Sequence, residues 1–155
     1  MLRLKMYSHS VGQNAFHVVF RTKYNLKFFH HDICRDALVA YLEEAALRYQ
    51  VGVYAMQVMP DHVHLFLEMP PTMSPARLAQ LFKGYTSRRF FLRFDGWRRS
   101  VAAGHDGPHL WSRWRFSRSV GNVNAGVIDN YIRNSSHNQF AVCRETQTML
   151  VRERG

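Results

Sequence analysis

The stretch GVYAMQVMPDHVHLFLEM at 52–69 decides the fold. Its two halves are runs of β-branched, aromatic and long apolar residues, the composition of strands. Met59-Pro60-Asp61 between them reads as a turn, with Pro supplying the fixed φ of a first central position. The runs 52–59 and 62–69 are close enough to pair as a hairpin. Alternate side chains of a strand share a face, so His62, His64, Phe66 and Glu68 point one way and Val63, Leu65 and Leu67 the other. The second set is apolar and is expected to face a helical core. That leaves two imidazoles a few ångströms apart on the opposite face, where they could grip one divalent ion. In a chain with nine histidines such a pair also arises by chance, so the spacing alone decides nothing.

On the N-terminal side, NAFHVVF at 14–20 reads as a first strand. Asp32 is expected to cap a helix running to about Tyr49, with Ile33, Ala37, Leu38, Tyr41, Leu42 and Ala45 on its buried face. Gly52 marks the break after it. On the C-terminal side, Ser74-Pro75 supplies an N-cap followed by Pro at the first helical position. The helix should reach about Phe94, burying Leu78, Leu81, Phe82 and Tyr85 and presenting Arg77, Lys83, Arg88 and Arg89. The Gly-rich, basic segment DGWRRSVAAGHDGP at 95–108 reads as a loop with a binding role or mobility. A strand is expected near 109–119, then a turn at Gly121-Asn122. Asn122 or Asn124 would cap a last helix at about 123–137, and the tail beyond Gln139 would be a further helix or a frayed end. The order β-α-β-β-α-β-α predicts one α+β domain spanning 1–155. It is ferredoxin-like (βαββαβ), an antiparallel sheet with helices on one face and a C-terminal helix added. That topology hosts many activities, so function has to come from the sites.

The 155 residues carry a formal charge of +10 and a pI near 10.2, an excess that points to a polyanionic partner. Hydrophobic residues at 46% exclude global disorder. Two cysteines far apart, Cys34 and Cys143, suggest neither a disulfide framework nor a zinc knuckle. No apolar run is long enough to cross a membrane, and MLRLKMYSHS lacks a signal peptide's apolar middle, so a soluble intracellular protein is expected. On the last helix, VIDNYIRN places Tyr131 four residues after Val127, on or beside the buried face, with Asn134 and Ser135 one turn further on. A core tyrosine with its hydroxyl at the rim is the ordinary explanation for such a position.

MPDHVHLFLE at 59–68 and LWSRWRFSRSVGNVNAGVIDNYIRN at 110–134, with FHVVFRTKY at 16–24 before them, together resemble the HUH-type single-tyrosine transposases of insertion sequences. Two separated motifs in the right order are more specific than either alone. The resemblance implies that His62 and His64 are metal ligands and that Tyr131 is the nucleophile. It further implies Mg²⁺ as the ion, with Mn²⁺ as a substitute, and a homodimer in which each tyrosine helix serves the partner's histidine pair. The implied substrate is single-stranded DNA with hairpin ends, cut and rejoined through a 5′-phosphotyrosine, in the cytoplasm of a prokaryote and on its nucleoid when bound. No membrane and no small-molecule substrate are implied. One position departs from the pattern: where the family carries Gln four residues after the tyrosine, this chain has Ser135. Ser135 itself, a shorter and weaker ligand, or Asn134, Asn138, His137 or water would then complete the metal shell. The alternative is a transposase-derived protein that binds DNA hairpins without cutting.

Cations expected to track phosphates are Arg21 and Lys23 after the first strand, Lys83, Arg88 and Arg89 on the second helix, and Arg98 and Arg99 beyond it. Trp97, Trp111 and Trp114 are candidates for base stacking, with core burial expected for at least two.

Overall fold

The computed structural model describes residues 5–7, 10–12, 14–104, 107–121, 123–124, 126–127, 130 and 140–141. Strands β1 (Lys5–Tyr7) and β2 (Ser10–Gly12) form a small antiparallel hairpin of their own, which the sequence patterning did not disclose. The elements that follow are β3 (Ala15–Thr22), α1 (Asp32–Arg48), β4 (Gly52–Met59), β5 (His62–Glu68), α2 (Pro75–Arg93), α3 (Asp95–Gly104), β6 (Trp111–Val120) and β7 (Phe140–Ala141).

The main sheet runs β6-β3-β5-β4-β7, with every pair antiparallel. Its first four strands have the order of a ferredoxin-like βαββαβ unit, as expected. β7 adds a two-residue edge, so part of the tail is strand rather than helix or frayed end. β4 and β5 meet across a two-residue turn, with Met59 opposite His62. Gly52 sits opposite Glu68, where an added Cβ would come within 3.2 Å of the Glu68 Cβ. A side chain there would require Glu68 to give way by a few tenths of an ångström.

One face of the sheet is covered by helices. Val18, Phe20, Met56, Val58, Val63, Leu65 and Leu67 pack there against Leu38, Leu42, Leu78, Phe82 and Phe90, all essentially without solvent contact. In α1 the buried stripe is Cys34, Ala37, Leu38, Tyr41, Leu42 and Ala45, with spacings of three and four residues. Ile33 was expected on that stripe but is 59% exposed, because it precedes Cys34 by one residue and so points about 100° away. Asp32 is likewise not the cap. His31 holds that position without a side-chain bond, and Asp32 pairs with Arg35 at 2.8 Å inside the first turn. α1 ends where Gln50 enters the left-handed region at φ 57° and the Val51 amide returns to the Ala46 carbonyl. At the start of α2 the reading holds: Ser74 Oγ accepts from the Arg77 amide, and Pro75 opens the helix, whereas Leu81 and Tyr85, expected buried, are only partly so.

The segment 95–104 is helical, not a loop. Asp95 stands in the first turn and accepts from Arg98 at 2.8 Å and Arg99 at 3.2 Å, three and four residues on. A carboxylate there also complements the helix N-terminus. Trp97 and Val101, four apart, form the inner side; Val101 is buried and Trp97 meets Phe28 edge-on at 5.3 Å. The glycines masked this short amphipathic pattern.

Leu65 has no exposed surface and Leu47 is 76% exposed. Leu65→Ala should lower unfolding free energy by about 2–5 kcal/mol in denaturant titrations, whereas Leu47→Ala should stay within about 0.5 kcal/mol of the parent.

Candidate functional site

The face of the sheet away from the helices carries the histidines. Direct cross-strand partners share a face, so the register assigns it without ambiguity. Arg21 stands opposite His62, Val19 opposite His64 and His17 opposite Phe66 on one side, and Gln57 opposite His64 on the other. On β6, Phe116 is opposite Val19 and Arg118 opposite His17. The ring centroids of His62 and His64 lie 5.0 Å apart with planes at 74°.

The turn before β5 is held in place by the backbone. The Thr22 amide donates to the Asp61 carbonyl at 2.9 Å, and the Phe29 amide to the Pro60 carbonyl at 3.1 Å. Asp61 is thereby fixed beside His62, and its Oδ1 meets His62 Nδ1 at 2.6 Å. A carboxylate that accepts the Nδ1 proton leaves Nε2 as the nitrogen for another partner. His64 has its own partner: its Nδ1 lies 3.1 Å from His17 Nε2. Sequence reading singled out neither Asp61 nor His17. The signal for His17 was present in β3, where Ala15, His17, Val19 and Arg21 alternate with Phe16, Val18 and Phe20, but its use required the pairing of β3 with β5.

This donor set suits a divalent ion. Imidazole binds metal only when deprotonated, and burial first, then His62 and His17, hold the His64 pKa down to about 4. Among the described residues no three His, Cys, Asp or Glu side chains converge on one metal position. Glu68 shares the strand face but accepts from the Asn14 amide at 2.9 Å and the Tyr54 hydroxyl at 3.1 Å, in a network that closes the far end of the face. Tyr131, Asn134, Ser135, His137 and Asn138 lie outside the described residues.

The chain beyond β6 crosses onto the histidine-bearing face. Val123 is fully buried with Ala15, Tyr54, Ala55 and Phe66, and Val127 packs against that cluster. Asn124 Oδ1 accepts from the Val127 amide at 3.0 Å, the bond of an N-cap, and helical geometry is present at 126–127 and at 130.

The basic candidates divide between two faces. Arg21 is exposed beside the histidines, its guanidinium 5.1 Å from the Trp114 ring centre, and Lys23 lies just past the strand against Tyr24. Trp114 is 48% exposed and Phe116 42%, whereas Trp111 is buried and Trp97 packs on the core. Lys83, Arg88 and Arg89 are on the helical side. Lys83 donates to the Ser112 and Trp114 carbonyls at 2.9 and 3.0 Å, and burial, then Arg115, lower its pKa to about 8. It therefore ties α2 to β6, beside a groove of about 420 Å³ that Arg113 and Arg115 also line. Arg89 pairs with Glu44 at 3.4 Å. Arg88 is exposed, and Arg98 and Arg99 are joined to Asp95. No helix among the described residues is long and apolar enough to cross a membrane.

The histidine shifts have a consequence for stability. The His17 pKa is lowered as well, by burial and then by Arg118. Protons that the unfolded chain takes up as pH falls through about 6.5 are refused by His64 in the fold until about pH 4, so stability declines across that window. Thermal melts from pH 7 to 4 should show the decline, and His64→Gln should flatten it. An identical slope in the variant would contradict the assignment.

Residues 10–135 match the family model for IS200-like transposases. The ISDra2 transposase TnpA of Deinococcus radiodurans is 27% identical over 138 residues, spanning 89% of this chain and 94% of that protein. The transposase of insertion sequence element IS200 from Salmonella typhimurium is 26% identical over 129 residues, 83% of this chain and 81% of its own. A crystal structure of a Deinococcus radiodurans R1 protein assigned to the transposases superposes with a TM-score of 0.67 at 26% identity, covering 87% of this chain and all of that one. With the sheet order, the histidine-bearing strand and a match over most of its length in agreement, the chain belongs to the IS200-like transposase family.

Proposed function

We propose that the protein cleaves and rejoins single-stranded DNA during transposition, with Tyr131 as nucleophile and a divalent ion, Mg²⁺ or its substitute Mn²⁺, held by His62 and His64. The observation that carries the reading is the pair of imidazoles on the strand face turned away from the helices, each with Nδ1 already engaged. Two neutral nitrogens leave coordination positions for phosphate oxygens and a further ligand. A bound ion of this kind supplies Lewis-acid stabilisation of charge developing on the scissile phosphate. The family resemblance is what assigns the nucleophile. The path of the chain supports it, since Val127, four residues before Tyr131, packs on the same face as the histidines.

In the first step the Tyr131 oxygen attacks phosphorus in line, the 3′-oxygen leaves, and a 5′-phosphotyrosine bond forms. In the second, a 3′-hydroxyl of another strand attacks that phosphorus and the tyrosine oxygen leaves. The number of phosphodiester-type bonds is conserved, so joining needs no nucleoside triphosphate. Hairpin-ended DNA is the proposed partner. Trp114 and Phe116 offer exposed rings for unpaired bases beside the histidines, with Arg21 close by for phosphate. A homodimer is part of the reading, and β6, a ten-residue strand at the edge of the described sheet, is the element suited to meet a second copy. The prokaryotic nucleoid is the corresponding place of action.

Incubation of a labelled single-stranded element end with the protein and Mg²⁺ should give a covalent adduct that survives denaturation. Tyr131→Phe should abolish it, and His62→Ala should reduce it to near background while the fold persists. DNA binding with no adduct under either Mg²⁺ or Mn²⁺ would sink the cleavage reading in favour of a hairpin-binding protein.

A further inference from the structure

We propose that His17 is a positioning residue for His64, accepting the His64 Nδ1 proton at its own Nε2 and so fixing the tautomer that leaves His64 Nε2 with a lone pair for the metal. The inference rests on the metal reading of the histidine pair and deepens it.

The geometry is that of a directed hydrogen bond. The rings lie within 16° of parallel with centroids 5.3 Å apart, and the nitrogens are 3.1 Å apart. That centroid separation is close to the longest a contact of this length permits, so each nitrogen points nearly straight at the other ring. The rings therefore meet edge to edge, with a proton between them, rather than face to face. In the sheet the two residues are diagonal neighbours: Val19 is opposite His64, and His17 is two positions along on the same side. The pairing of β3 with both β5 and β6 fixes the His17 backbone, and Phe116 stands edge-on to its ring at 5.9 Å.

One proton occupies this bond, and there are two ways to place it. If His17 Nε2–H donates, neutral His64 carries its own proton on Nε2, where a metal would bind, and cannot coordinate there. If His64 Nδ1–H donates, His17 keeps its proton on Nδ1, and His64 Nε2 is a ligand. Only the second arrangement is compatible with His64 holding an ion through Nε2. His62 receives the same service from the Asp61 carboxylate, which in its ionised form can only accept. The two ligands thus have unlike supports, one anionic and one neutral. A neutral acceptor orients His64 without adding a second negative charge where DNA phosphate must approach.

The test uses the full chain with ¹⁵N-labelled histidine. In metal-free wild-type protein, ¹⁵N shifts should report His64 as the Nδ1–H tautomer. His17→Phe and His17→Leu, which keep an apolar body but remove the acceptor, should shift the population toward Nε2–H and weaken Mn²⁺ binding by about 10–100-fold in calorimetry. His17→Gln, whose amide oxygen can accept the same proton, should recover most of the affinity. An Nε2–H tautomer at His64 in the wild type would overturn the proposal, as would unchanged Mn²⁺ affinity in a folded His17→Phe or His17→Leu protein, and both results leave wild-type metal binding intact. Wild-type protein that binds no Mn²⁺ would instead overturn the metal reading, and this inference with it.

Discussion

The pairing of β5 between β3 and β4 is the constraint from which the rest follows. Because side chains alternate, a slip of one residue would carry Val63, Leu65 and Leu67 out of the core and drive His62 and His64 into it. The three apolar residues have no exposed surface, so that slip is opposed by several kilocalories of lost burial. The same alternation that fixes register also delivers two imidazoles to the face turned away from the helices. Positioning of the site is thus a by-product of packing on the far side of the strand. The backbone bonds from Thr22 and Phe29 to the turn at 60–61 add a second anchor at the end where the histidines emerge.

Most of the sheet was legible in the sequence because its signals are local: β-branched runs, the Pro60 turn, the Ser74-Pro75 start of α2. The histidine pair was legible for the same reason, as alternation within one strand needs no knowledge of partners. What escaped depends on neighbours distant in sequence. His17 stands beside His64 only once β3 and β5 are in register, 47 positions apart. The helix at 95–104 was hidden because two glycines and two adjacent arginines outweighed Trp97 and Val101, the residues that dock it. Ile33 was misplaced by a single position, since helical rotation turns one residue through a large angle while leaving the pattern nearly the same. The assignment of Tyr131 came from likeness to a family and not from spacing, and that residue lies outside the described part of the chain.

The net charge of +10 looked like one property and resolves into different ones. Lys83 spends its hydrogens on carbonyls of β6, Arg98 and Arg99 hold the start of α3 through Asp95, and Arg89 pairs with Glu44. These cations are partly structural, and the charge they offer to a polyanion is correspondingly local. Arg21 differs, being on the histidine face and set against an exposed indole. Composition counts all of these alike; only their partners separate them.

The separation of the two faces of β5 bears on how such a protein can change over generations. Since His62 and His64 contribute little to the apolar interior, substitutions at either leave the core and the sheet order in place. On the proposed role of the two histidines, one codon change would end cleavage while a folded, positively charged body persists. A copy inherited in that state would keep its surface available for other uses, and a later reversal would find its scaffold still standing.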